Sequence, residues 1–92
     1  MDGRGQNAQR LTLLVRAYCH LCDDMRDAVA PLADRFGWDV DEIDIDADAA
    51  LERRWNDKVP VLLAGDEELC HYWLDEPAVT AFLSASRDAK SR

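Results

Sequence analysis

Cys19 and Cys22 stand three positions apart in the run Tyr18-Cys19-His20-Leu21-Cys22. Two thiols at that spacing can work as a redox dithiol or supply half of a metal site. A helix that begins at the first thiol would let the second, one turn in, reach back to it without moving the backbone far. Free amide groups and the dipole at a helix start stabilise an anion by up to roughly 2 kcal/mol, which favours a Cys19 thiolate. His20, when protonated, would tune the thiol in the same direction, whereas Asp23 and Asp24 would oppose a further negative charge. The chemistry expected is attack by Cys19 on a substrate disulfide, followed by displacement of the reduced substrate by Cys22. A metal site needs more donors, and Cys70 and His71 are the remaining pair of Cys and His. As neighbours on a strand they point to opposite faces, so no metal is assigned.

These residues need a strand that hands over to a helix. Leu11 to Val15 is a short apolar run suited to a central strand buried on both faces. Cys22, Met25, Val29, Leu32 and Phe36 then recur at helical spacing, and the pattern stops at Gly37. Pro31 falls inside this helix and predicts a kink. Trp38 to Ile45 predicts an edge strand with its acids outward, and Ala47 to Trp55 a short helix capped by Asp46. Val59 to Ala64 predicts a third strand entered through Pro60, and Glu68 to Tyr72 a fourth beyond the turn at Gly65 and Asp66. Asp75, with Pro77 in the first turn, opens a last helix carrying Val79, Phe82 and Leu83. The order is βαβαββα, which makes an α/β fold: a four-stranded mixed sheet with helices on both faces.

One domain over residues 10–85 is expected, between flexible polar tails at 1–9 and 86–92. A net charge of −8 over 92 residues excludes nucleic acid and membrane as partners, because phosphate recognition needs clustered cations. The start has no apolar signal core, so a cytoplasmic, monomeric protein is expected, and in a reducing compartment its three cysteines point to chemistry rather than staples. Asp44, Asp46 and Asp48 imitate the opening of a calcium loop, but Ala49 and Trp55 occupy positions that such a loop gives to Gly and Glu. Trp55 and Trp73 could flank a groove or serve as packing.

The strand-helix Cys-x-x-Cys, followed some forty residues later by Val59-Pro60, resembles the thioredoxin superfamily, and specifically small glutaredoxin-like proteins, over Leu11 to about Leu83. The resemblance implies a thioredoxin-like fold and a cis Pro60 lying against the dithiol. It further implies that Val59 pairs with substrate backbone, that Tyr18 adjoins the substrate, and that Arg16 faces a glutathione carboxylate. His20-Leu21 between the cysteines departs from the family pattern, as does Lys58 before Val-Pro. The family's Gly-Gly and Asp segment has no counterpart in Cys70 to Asp75. Lys58 could instead favour the Cys19 thiolate or attract an acidic partner segment. The reading is a thiol-disulfide oxidoreductase acting on a disulfide-containing protein or a small thiol, with no cofactor and with glutathione as a possible co-substrate. The alternatives are a metal or iron-sulfur binding module, or a non-catalytic interaction domain with the same fold.

Overall fold

The computed structural model describes residues 9–90, with the backbone alone over 86–90. The strands are β1 (Arg10–Val15), β2 (Asp39–Asp44), β3 (Val61–Ala64) and β4 (Glu67–His71), and the helices are α1 (His20–Arg35), α2 (Ala49–Trp55) and α3 (Glu76–Lys90). The expected order βαβαββα holds, with one added 3-10 turn at Ile45–Ala47. The sheet order is β2-β1-β3-β4. β1 runs parallel to β2 and antiparallel to β3, and β3 is antiparallel to β4.

Alternation along β1 explains its central place. Leu11, Leu13 and Val15 enter one core with Met25, Val29 and Leu32 of α1, Leu62 of β3, and Val79 and Leu83 of α3. Leu14 enters the other, with Ile45, Trp55, Val61 and Leu63. α1 and α3 therefore cover one face and α2 the other. A fully buried Leu contributes about 1.5–3 kcal/mol relative to exposure, so a strand with apolar residues on both faces is anchored twice.

α1 ends where Gly37 adopts φ +75°, a conformation that costs Gly nothing. Gly37 N–H donates to the Asp34 carbonyl at 3.2 Å and Trp38 N–H to the Ala33 carbonyl at 2.9 Å, the paired bonds of a Schellman terminus. The helix is continuous through Pro31, whose side chain is exposed.

Several boundaries differ from the sequence reading: β3 begins at Val61 rather than Val59, and β4 ends at His71 rather than Tyr72. Ile45 leaves the strand, enters the 3-10 turn and is wholly buried against α2, while Ile43 stays 39% exposed. Asp46 does not cap the second helix: Asp48 Oδ1 accepts from Ala50 and Leu51 N–H, and Asp44 caps the 3-10 turn through Asp46 N–H. The backbone is helical to Lys90, past the point where the apolar pattern stops. The rest of the expected tails, residues 1–8 and 91–92, lies outside the described residues. No described helix is long and apolar enough to cross a membrane.

Candidate functional site

The exits of β1 and β4 and the entry to β3 share one end of the sheet, because β3 is antiparallel to both neighbours. The β1 exit carries Arg16, Tyr18 and Cys19, the β3 entry carries Val59 and Pro60, and the β4 exit carries His71, Tyr72 and Trp73.

Cys19 is the N-cap of α1, with extended backbone at φ −117°, ψ 108°. Its Sγ accepts from Cys22 N–H at 3.1 Å, taking the place that a Ser or Asp oxygen occupies in an ordinary cap. The Cys22 amide thus points at the sulfur, at a helix start where negative charge on it is favoured. Cys19 is half-buried and Cys22, on the apolar face of α1, is 1% exposed. The two sulfurs are at disulfide distance and their Cα atoms are 5.2 Å apart, within the usual range for a bridge. Asp23 does not stand unpaired beside this site. Arg26 donates to it at 2.7 Å and to Glu42 at 2.6 Å, tying the first turns of α1 to the edge strand. These carboxylates hold the Arg26 guanidinium well above its usual range.

The Val59-Pro60 bond is cis, as the family resemblance implies. Pro60 is buried and Val59 half-buried. Val59 and Cys19 pack against the same core beneath α1. Pro60 is also tied to the β4 exit. Its carbonyl accepts from Tyr72 N–H at 2.9 Å, and Tyr72 Oη donates to the Asp57 carbonyl at 2.6 Å.

The other expected residues are placed as follows. Arg16 does not turn an open guanidinium to the site: it meets Asp46 at 3.0 Å, Asn56 Oδ1 at 2.9 Å and Glu52 at 3.6 Å, binding the β1 exit to the 3-10 turn and α2. Lys58 pairs with Glu68 at 3.8 Å and lies over the Trp55 ring, while His20 and Tyr18 are exposed. Trp55 lines no groove at this end; it is core, under α2.

Tyr72 was not legible as a site residue. It adopts φ +67°, rare for an aromatic side chain, and nothing in the sequence marks it. Its ring packs edge-on against His71 at 4.7 Å and Trp73 at 5.6 Å. His71 Nδ1 in turn meets Glu68 at 2.5 Å.

Cys70 is a free, half-buried thiol. Burial pushes its pKa up, and the charges of Asp75 and Glu68 act in the same direction, against a hydrogen bond to the Asp75 backbone. Iodoacetamide should therefore modify Cys70 more slowly in the folded protein than in urea near pH 8.5, where an ordinary thiol is about half ionised. Equal rates in the two states would contradict the assignment.

Comparison with known proteins fits this geometry. Residues 10–84 match the family model described as Glutaredoxin-like domain. A solution structure of a protein from Nitrosomonas europaea is 34% identical with a TM-score of 0.73, covering 89% of this chain and 98% of the other. A crystal structure of a protein from X. campestris is 41% identical with a TM-score of 0.60, covering 82% and 96%. A mutant thioredoxin from Halobacterium salinarum, at 24% identity, shares the fold with a TM-score of 0.62 over 89% of this chain and 78% of that one. An uncharacterized protein of Mycobacterium tuberculosis is 29% identical over 82 residues, 84% of each chain. The strand order, the helix-capping cysteine pair and the family match together make this chain a member of the glutaredoxin-like domain family, with a thioredoxin-like fold.

Proposed function

We propose that the protein is a thiol-disulfide oxidoreductase in which Cys19 attacks and Cys22 resolves. The observation that carries this reading is the Cys19 sulfur at the N-cap of α1, accepting the Cys22 amide at 3.1 Å with the Cys22 sulfur buried at disulfide distance behind it. An amide donor and a helix start lower the cost of a thiolate at the accessible cysteine, while burial keeps its partner from competing for substrate.

The Cys19 thiolate attacks one sulfur of a substrate disulfide. A Cys19-substrate disulfide forms, and the other substrate sulfur leaves as a thiolate that takes a proton from solvent. Cys22 loses its proton and attacks Cys19 Sγ, forming the Cys19–Cys22 bridge and releasing the second substrate thiolate. Two electrons have passed to the substrate, and a dithiol or a pair of monothiols must return them before the next turnover. Val59, ahead of the cis proline, is the position for pairing with the substrate backbone, by likeness to the family.

Equilibration of the purified protein in graded glutathione buffers, followed by alkylation and mass analysis of each cysteine, tests this. A Cys19–Cys22 disulfide titrating at one defined potential, with Cys70 remaining a thiol, is expected. A glutathione adduct on Cys19 would add glutathione as co-substrate. If neither species forms at any buffer ratio, the reading is overturned.

A further inference from the structure

Two of the three large apolar side chains exposed among the described residues, Tyr18 and Trp73, lie at the dithiol end of the sheet; Ile43 is the third. Tyr18 precedes the attacking cysteine and is wholly exposed, with φ +58°. Trp73 is 67% exposed on the β4 exit. The strand order puts the Val59-Pro60 entry to β3 between them. Trp73 is held there by its neighbours: its N–H donates to the His71 carbonyl at 2.8 Å, and its ring meets that of Tyr72, which is pinned to the Asp57 and Pro60 carbonyls. A large aromatic surface presented to water on a braced turn, at the end of the sheet that carries the dithiol, is what a macromolecular contact uses.

Charge narrows the partner. The cations that could meet an anionic substrate here are engaged. Arg16 is bound by Asp46, Glu52 and Asn56, and Lys58 pairs with Glu68, which also holds His71. Arg53 and Arg54 end α2, which covers the opposite face of the sheet from the core against which Cys19 packs. His20 is charged only when protonated. Asp57, Asp75 and Glu76 are exposed at this end, and no described cation pairs with them. The whole chain carries −8.

Resting on the oxidoreductase reading, we infer that the substrate is a disulfide in a cationic, extended polypeptide segment, received across Cys19 with Tyr18 on one side and Trp73 on the other. The acidic surface draws such a segment in and repels small anionic disulfides, and the aromatic side chains supply contact area that no small thiol would fill. Two electrons pass from the Cys19–Cys22 dithiol to the peptide cystine, which leaves as two thiols.

The test uses the reduced full-length protein and four disulfides: a cystine peptide flanked by lysines, the same peptide flanked by glutamates, uncharged bis(2-hydroxyethyl) disulfide, and oxidised glutathione. At low salt the lysine peptide should react at least about tenfold faster than the glutamate peptide, and the gap should close at high salt. Trp73→Ala should lower the rate for the lysine peptide relative to the uncharged disulfide by about tenfold, the effect of losing one anchoring contact. Glu76→Lys should narrow the gap between the peptides. Equal peptide rates, or oxidised glutathione reacting as fast as the lysine peptide, would overturn the inference and leave the dithiol chemistry standing. A protein inert toward the uncharged disulfide as well would overturn both.

Discussion

Cys19→Ser is expected to reduce disulfide reduction to background, a loss of roughly three orders of magnitude or more, the scale on which removing an attacking nucleophile acts. A serine oxygen at the same N-cap would still accept the Cys22 amide, so the helix should keep its terminus and its stability. Loss of activity without loss of fold is the signature. Cys22→Ser should behave differently. Its Cys19 remains at the cap and completes the first step, but the buried sulfur that would resolve the intermediate is gone. The mixed disulfide should accumulate and appear in intact-mass spectra as protein plus substrate thiol, released by dithiothreitol. Turnover in Cys19→Ser, or no adduct in Cys22→Ser, would reverse the proposed roles.

Leu13→Ala is expected to cost about 2–5 kcal/mol, the range for emptying a buried Leu position. Leu13 has no exposed surface and sits mid-strand in β1, between Glu42 of β2 and Leu62 of β3. Its side chain lies in the core shared with α1 and α3, where collapse is resisted from both helices. In a domain of this size each kcal/mol lowers Tm by roughly 4–8 °C, so the loss is readily measured by thermal or urea unfolding. Ile43→Ala, on the exposed edge of β2, is the control and should change stability by no more than about 0.5 kcal/mol. Similar losses for the two variants would mean that the core is not organised as described.

What the residues disclosed, and what they concealed, follows from the range of the forces involved. The strand Leu11 to Val15, the helix from the cysteines to Gly37 and the hairpin at Gly65 rest on local periodicity and turn chemistry, which a single sequence displays directly. The dithiol was legible for the same reason: its spacing and its place at a strand-helix junction are local. The cap of α2 was misread because Asp44, Asp46 and Asp48 are chemically equivalent acceptors at alternate positions. The 3-10 turn that uses Asp44 and hands α2 to Asp48 has no signature of its own. The ties of Arg16 were not legible because its partners Asp46 and Asn56 are 30 and 40 residues away, brought near by tertiary folding. Tyr72 was missed because its left-handed backbone is held by bonds to Asp57 and Pro60, groups that no pattern within β4 could reveal.

Val59 packs against the core beneath α1 and also against the core beneath α2. It is thus a joint between two otherwise separate halves of the interior. A bulkier side chain there would press on both halves at once, and a smaller one would loosen both. Substitution at this position is constrained from two directions by packing alone, whatever the substrate. Lys58 before it is exposed, as are Trp73 and Asp75 across the hairpin, and none of these is enclosed by either half. Exchange at positions 58, 73 and 75 therefore changes the surface at the cysteine end of the sheet with little effect on packing, whereas exchange at position 59 disturbs both halves of the interior.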